Sequence, residues 1–426
     1  MSTTTDPNAI ADISAEAFWA RPRAEREQAF ARLRREQPVS WQRQPEGQLV
    51  ELEGELTGGY WALTRYEDIR AVSRNPRVFC SGKGVMFEDA PQKFLDMALS
   101  IIAMDDPRHA AVRGLISSAF TPKQVRALED GVRRDARQVV DELATAETDD
   151  FVTHVSKRVP LMTIMRMLGV PEEDRERLVH YSDAMVSWSD PEYLQGRDGL
   201  AVVGEALWEL HQACTALAEQ RRAHPTDDLL SALVHAQIDG ESLSTPEIAA
   251  FFVLMSVAGN DTTRHTTSHA MVALQENPDQ RALLLEDLDG RLPVAAEEFV
   301  RWATPVMTFR RTATQDTEIA GQPVAAGEKV VMVYPSGNRD ETAFDAPDRF
   351  DVLRSPNRHL GFGGGGPHYC LGAPLAKVQL RAVFSELLGR YPNLQVGPPH
   401  QVIGNFVDGI NLLPFALDGA RPERAA

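Results

Sequence analysis

The sequence predicts a mainly α-helical chain, one large helical domain with a small β-rich portion. Three observations carry that expectation. Runs of helical periodicity, each bounded by Pro, Gly or Asp, fill most of the chain before Thr304-Pro305. One of them, from Ser244 to Gln275, is long enough at 1.5 Å per residue to span roughly 45 Å, the width of a domain. After Thr304-Pro305 the pattern changes to short β-like runs and one long loop rich in Gly, Pro, Asn and Asp. Neither a repeat nor a low-complexity linker divides the 426 residues, so a single domain is expected, with 1–16 and 419–426 as flexible tails.

The elements follow in order. Arg23–Glu36 reads as a charged amphipathic helix stopped by Pro38, and Val39 opens a short strand. Gly59–Thr64 is a strand signal and Glu67–Ser73 a short helix. Helices are expected over Pro107–Phe120 and Pro122–Ala144, separated by a Thr-Pro start in which proline loses no useful hydrogen bond. Further helices fall at about Ser156–Leu168, Pro171–Met185, Leu200–Ala223 and Asp227–Ala236. Ser244-Thr-Pro-Glu247 has the form of a capping box and starts the long helix, which ends before Asn277-Pro278. Its middle, Phe251–Ala258, is apolar on nearly every face and should be buried. Two helices, Pro278–Leu285 and Pro293–Ala303, come next. Ile319–Pro323 and Lys329–Tyr334 read as strands, Ser336–Gly372 as a loop, Ala373–Tyr391 as the last helix, and a β-like segment closes the chain. A loop of some 35 residues is uncommon and usually functional.

Composition excludes several classes. With 44 Lys and Arg against 61 Asp and Glu, the net charge of -17 repels polyanions. No stretch has the ~20 uninterrupted apolar residues of a membrane helix, and the polar, acidic start does not resemble a signal peptide. Three cysteines in so long a chain argue for a reducing, cytoplasmic setting.

The chemistry concentrates in Gly361-Phe-Gly-Gly-Gly-Gly-Pro-His-Tyr-Cys370-Leu-Gly372, directly before a helix. Consecutive glycines, Gly363 and Gly364 among them, let the backbone approach a flat ligand. A cysteine at a helix N-terminus meets free N–H groups that favour its thiolate. One thiolate with no second cysteine nearby suits axial ligation of haem iron better than a zinc site. Taken alone, such a run is more often a turn with a buried cysteine; a phosphate loop is a poor fit, since no Lys-Ser/Thr follows the glycines.

At this point the chain resembles the cytochrome P-450 family, whose signature is matched by Phe362, Gly364, Gly366, His368, Cys370 and Gly372. Phe362 lies eight residues before Cys370 where seven is commoner; similar lengthened loops occur in bacterial members related to those acting on sterols and branched lipids. The resemblance implies that fold, with the long helix over haem b (iron protoporphyrin IX) and Cys370 as the axial ligand of its iron. Ala258-Gly-Asn-Asp-Thr-Thr263, a costly polar breach in an apolar helix, then corresponds to the oxygen-activation segment. Ala258 would lie against the haem, Gly259 make room for dioxygen, Asp261 relay protons and Thr262 hydrogen-bond the activated oxygen. His109, Arg113, Arg311 and His368 would hold the two propionates. Glu298 and Arg301, three apart on one helix, would form a buried structural network with Arg349, or with Arg354 in reserve.

The implied activity is a haem-thiolate monooxygenase that inserts one oxygen atom from O2 into a hydrophobic small molecule, such as a terpenoid, sterol, branched lipid or polyketide-like compound. Its pocket would use Leu254, Val257, Ala258, Val306, Met307, Thr308, Phe309, Phe406 and Val407, with Phe87, Phe94 and Met97 capping it. Electrons would come from a separate ferredoxin or flavodoxin and its NAD(P)H-dependent reductase, docking near Arg108, Lys377 and Arg381. A monomer without a membrane anchor is expected. A peroxide-driven peroxygenase and a non-catalytic haem sensor are the alternatives; the acid–alcohol pair argues against both. His265 and His269, four apart, could share a metal, but no Glu adjoins His265 and no third ligand is evident, so a zinc site is set aside.

Overall fold

The capping box at Ser244 organises the whole molecule. In the computed structural model, Ser244 Oγ accepts from the Glu247 N–H while the Glu247 carboxylate accepts from the Ser244 N–H, and a helix runs from Thr245 to Glu276. The structure describes residues 10–44, 58–87, 89, 96–97, 100–117, 120–146, 148–186, 191–238 and 240–417. The long helix is buried along most of its length because other helices surround it: Arg158–Met167, Glu172–Val186, Gly199–Ala223, Leu288–Ala303 and Ala373–Arg390 all pack on it. Phe251, Phe252 and Val253 join the main apolar core, and so do Phe299 of Leu288–Ala303 and Phe384 of the last helix.

Boundaries agree closely with the sequence signals. Arg23–Glu36 starts and stops as expected, and Thr121 caps Pro122–Glu142 with proline in the first turn. Leu288–Ala303 begins earlier than its internal proline implied. Asp287 accepts from the Gly290 N–H and caps the helix upstream, so Pro293 forfeits one hydrogen bond inside an already started helix.

The β portion is a five-stranded sheet in the order Val39–Gln42, Tyr60–Leu63, Lys329–Val333, Thr308–Ala313, Phe79–Cys80. Tyr60–Leu63 and Lys329–Val333 pair in parallel; the other pairs are antiparallel. Thr308–Ala313, a strand that sequence patterning did not single out, is central for position: it carries Phe309 and Arg311 to the cavity edge. Polar residues in this strand hide the usual alternation, since Thr308, Arg310, Arg311 and Thr312 are all buried. Ile319–Pro323 resolves into a hairpin of Thr317–Ile319 with Gln322–Val324.

The expected N-terminal tail is corrected in part. Ile13 is fully buried in an aromatic cluster with Phe18, Trp19 and Phe30, and Ser14 Oγ donates to the Arg43 carbonyl. The C-terminal tail 419–426 lies outside the described residues.

Candidate functional site

The loop that ends in Cys370 is fixed from beneath by Tyr66–Ser73. Ser73 Oγ donates to the Gly365 carbonyl at 2.8 Å, and Arg74 Nε to the Gly364 carbonyl at 3.3 Å. Gly366 has φ +79°, and a Cβ there would stand 2.5 Å from the Ser73 carbonyl oxygen, so only glycine lets the loop lie this close. Gly364 is packed on the same helix and is turned from the cavity. The lengthened spacing does not displace Phe362: the Cys370 N–H donates to its carbonyl at 3.0 Å, and Lys377 lies over its ring. Cys370 sits just before Ala373–Arg390, and it lines a cavity. Burial pushes its thiol up, while the N–H groups of Gly372 and Ala373 and the Arg113 guanidinium favour the thiolate.

The cavity, of about 550 Å³, extends from Cys370 to the long helix. Its floor includes Phe362, Gly363, Cys370 and Gly372, and its roof Leu254, Val257, Ala258, Gly259, Asp261 and Thr262. Val306, Phe309, Phe406 and Val407 form an apolar wall. The absent side chain of Gly259 points at Ile164, whose Cδ1 lies 2.4 Å from the position of a Cβ. Gly259 and Ile164 both line the cavity, so the missing side chain keeps the space between this helix and Arg158–Met167.

Asp261 and Thr262 differ in environment. Thr262 Oγ1 donates to the Ala258 carbonyl at 2.9 Å and lines the cavity. Asp261 is buried; its Oδ1 pairs with Arg264 at 3.0 Å, and among the described residues its Oδ2 has no hydrogen-bond partner. Arg264 also pairs with Asp183 at 2.7 Å, and Asp183 is partly exposed, so a polar chain leads from the cavity towards solvent. Burial raises the Asp261 carboxyl, to about 7, because the attraction of Arg264 is too weak to offset it and Asp183 pushes the same way.

At one edge of the cavity the rings of His109 and His368 lie 4.1 Å apart, and Ser81 Oγ hydrogen-bonds His368 Nε2 at 3.1 Å. Burial, with Arg311, His109 and Arg113 adding to it, lowers His368 to about 2. Arg113 donates to the Tyr369 carbonyl and the buried Arg311 to the Arg310 carbonyl; among the described residues neither pairs with a carboxylate.

Comparison with known proteins now decides the family. The cytochrome P450 family model matches residues 59–402. A methyl-branched lipid omega-hydroxylase of Mycobacterium tuberculosis is 42% identical over 412 residues, 95% of this chain and 94% of that protein. A steroid C26-monooxygenase of Mycolicibacterium smegmatis is 38% identical over 92% of this chain and 90% of its own length. Among solved structures, a Mycobacterium marinum cytochrome P450 in complex with pseudoionone is 52% identical, covers 97% of this chain and all of its own, and has a TM-score of 0.93. The chain belongs to the cytochrome P450 family. It is a monooxygenase with the P450 fold, and its cofactor is haem b. P450 monooxygenases typically draw electrons from redox partners and act on hydrophobic substrates.

The residues around the cavity suit this P450 cofactor. The buried Arg311 and half-buried Arg113 without a carboxylate, and the buried His109 Nε2 without a partner among the described residues, are costly unless an acidic group fills the gap. Haem propionates supply two carboxylates, and Arg113, Arg311, His368 and, behind it, His109 are grouped at the edge where they fit.

The network around Glu298 corrects one sequence expectation. Arg301 grips Glu298 through Nε and Nη2, both at 2.7 Å, and the third member is Arg354, 3.2 Å away, with its side chain buried. Arg349 is exposed and contributes only its carbonyl, which accepts from both arginines. Asp351 N–H and Asn357 Nδ2 complete the carboxylate's shell.

Several proposed pocket residues also sit elsewhere. Phe87 is buried against Trp19 and Tyr60 in the N-terminal aromatic cluster, and Met86 reaches the cavity in its place. Met307 and Thr308 face away: Arg26 Nη1 contacts Met307 Sδ, and Thr308 Oγ1 donates to the Asn405 carbonyl. Their neighbours Val306 and Phe309 take the cavity side. Met97 packs on the core with its carbonyl held by His211, and Phe94 lies outside the described residues. His265 and His269 are ties, not metal ligands: His265 Nδ1 accepts from the Ile410 N–H, and His269 Nε2 lies 2.9 Å from the Asp408 carbonyl. Arg108 and Lys377, offered as docking cations, are paired with Glu247 and Glu297. Arg264 could have been noticed three residues after Asp261 on the same helix face; Ser81 and Asp183 carry no sequence signal.

Proposed function

We propose that this P450 hydroxylates a neutral or weakly polar molecule bearing a methyl-branched chain, a branched lipid, terpenoid or steroid. The observation that carries the proposal is the meeting of Cys370, the Asp261–Thr262 pair and the apolar wall of Val306, Phe309, Phe406 and Val407 around one cavity. The relatives' named substrates, methyl-branched lipid and steroid, support it.

In this reading Cys370 holds the haem iron, and Arg113, Arg311, His368 and His109 orient its propionates. When bound, the haem supplies reductive activation of dioxygen, with the thiolate pushing electron density that favours O–O cleavage. The chain's own part is placement and proton supply. The apolar wall excludes water and presents a C–H bond. With its carboxyl raised to about 7, Asp261 takes up and releases a proton at Oδ2 near neutral pH, while Arg264, itself held by the partly exposed Asp183, fixes Oδ1 and stays charged. Thr262 Oγ1 delivers that proton to the cavity. Glu298, Arg301 and Arg354 keep the cysteine loop in register. Electrons come from a ferredoxin or flavodoxin with an NAD(P)H-dependent reductase that docks on the cysteine side, near the exposed Tyr369 and near Arg381; the enzyme works as a monomer in the cytoplasm.

The test is a panel of branched lipids, terpenoids and steroids scored for a low-to-high spin shift, then for product with ferredoxin, reductase and NADPH or with peroxide alone. Product from a methyl-branched compound only with the electron supply supports the proposal. Equal turnover with peroxide alone points to a peroxygenase, and a panel in which only flat polar aromatics bind contradicts the substrate class.

A further inference from the structure

Behind the apolar wall lies a buried charge node. Asp408 is 5% exposed, yet it is far from any chemistry at Cys370 in sequence. Its carboxylate faces three cationic or ionisable groups drawn from two distant helices. Arg26 Nη2 lies at 3.5 Å and Arg23 Nη1 at 3.9 Å from the helix Arg23–Glu36, and His269 Nε2 at 3.8 Å from the long helix. His269 Nε2 is also 2.9 Å from the Asp408 carbonyl. A buried carboxylate is costly unless paired, and one so placed is held against that cost by a specific arrangement.

What the node holds are the two backbone rails of the cavity wall. The Asp408 N–H donates to the Pro305 carbonyl at 2.9 Å, the Met307 N–H donates to the Phe406 carbonyl at 2.8 Å, and Val306 pairs with Val407 in an isolated bridge. Phe309 and Phe406 meet edge to face at 5.6 Å. Arg26 links both rails, since its Nη1 lies 3.2 Å from Met307 Sδ while its Nη2 faces Asp408. Arg23 reaches the Trp302 carbonyl just ahead of the first rail. Backbone bonds tie the two rails to each other, and through Asp408 the contacts of Arg26 and His269 anchor the joined rails to two helices.

We propose that Asp408 is a positioning residue for substrate selectivity, setting the Asn405–Val407 segment against the long helix and so deciding which carbon of the substrate faces the roof of the cavity. The inference rests on reading Val306, Phe309, Phe406 and Val407 as the substrate wall. A displacement of about 1 Å at a wall is enough to change a reaction's outcome by orders of magnitude.

The test uses the full-length, haem-loaded enzyme and two azoles that ligate the iron. Imidazole is the smaller probe; 4-phenylimidazole adds a phenyl ring that extends further from the iron into the cavity. Asp408→Asn removes the charge and keeps the shape. It is expected to leave imidazole binding within about twofold and to weaken 4-phenylimidazole by about tenfold or more. Arg26→Lys, which keeps the cation but cannot span both rails, should move the ratio in the same direction and serves if Asp408→Asn fails to retain haem. The product distribution from any panel substrate should change with the azole ratio. An unchanged ratio in either haem-loaded variant, or an equal loss for both azoles, overturns the proposal. Failure of every lipid on the panel would instead sink the substrate class, because the azole ratio needs no substrate.

Discussion

Replacing Arg354 by alanine isolates the one correction that the structure makes to the Glu298 network. The substitution removes a guanidinium 3.2 Å from Glu298 together with hydrogen bonds to the carbonyls of Asp345, Ala346 and Arg349. Glu298 keeps both bonds from Arg301, so the pair is weakened but not orphaned; the three carbonyls lose a charged donor. Because Glu298 stays paired, the loss is that of charged hydrogen bonds, on the order of 1.5–3 kcal/mol. For a chain of this length that corresponds to roughly 2–3 °C in Tm, taking the average unfolding entropy per residue. Arg349→Ala is the control: its side chain is exposed and its carbonyl survives the substitution, so its effect should stay within about 0.5 kcal/mol. The assay is thermal unfolding of the haem-loaded protein, followed by circular dichroism and by the Soret band together. The expected order is wild type equal to Arg349→Ala, both well above Arg354→Ala, with Soret loss preceding global unfolding in the last. Equal effects of the two substitutions, or a larger effect at Arg349, would refute the assignment.

Other expectations follow from the cavity. Thr262→Ala should uncouple electron use from product, with reductant consumption maintained and product falling by about tenfold or more, as expected for a lost proton donor; unchanged coupling counts against the relay. Asp261→Asn has a sign that can be checked. Burial raises this carboxyl in the folded state, so its stabilising influence is greatest at acid pH and is lost as pH rises from the ordinary carboxylate range towards 7. The Asn variant should therefore lose less Tm than wild type between pH 4 and 7, a range of about three units above the ordinary Asp value; parallel curves would show that Asp261 is ionised throughout. Arg311→Leu should release haem faster, read by transfer to an apo-globin acceptor, while Tm of the apo form stays level or rises as a buried cation is lost.

Much of the architecture was legible because its signals are local. A capping box, Thr-Pro and Asn-Pro boundaries and continuous apolar character fix the long helix before any tertiary contact is considered. The cysteine loop alone would read as a turn with a buried cysteine; it was legible because Phe362, Gly364, Gly366, His368, Cys370 and Gly372 together match a family signature. What stayed hidden depends on direction. In the segment Val306–Phe309, Val306 and Phe309 face the cavity and Met307 and Thr308 face away, and nothing in the residue types says which. Arg349 and Arg354 stand in similar loop sequence; only the fold of Ala346–Arg354 turns one outward and the other beneath Glu298. Gly259 was linked to oxygen by its place in a motif, whereas the crowding by Ile164 belongs to a helix nearly a hundred residues away. The two histidines of the long helix had the right spacing for a metal, but their partners Asp408 and Ile410 lie at the far end of the chain.

The account stands on sulfur ligation at position 370, and the carbon monoxide difference spectrum of the reduced protein tests it directly. The purified chain should show the strongly red-shifted Soret band of a thiolate–haem complex, and Cys370→His should keep haem while moving that band to the position of a nitrogen-ligated haem. A red-shifted band that persists in the histidine variant would contradict the central claim, as would a wild-type spectrum already of the nitrogen-ligated kind.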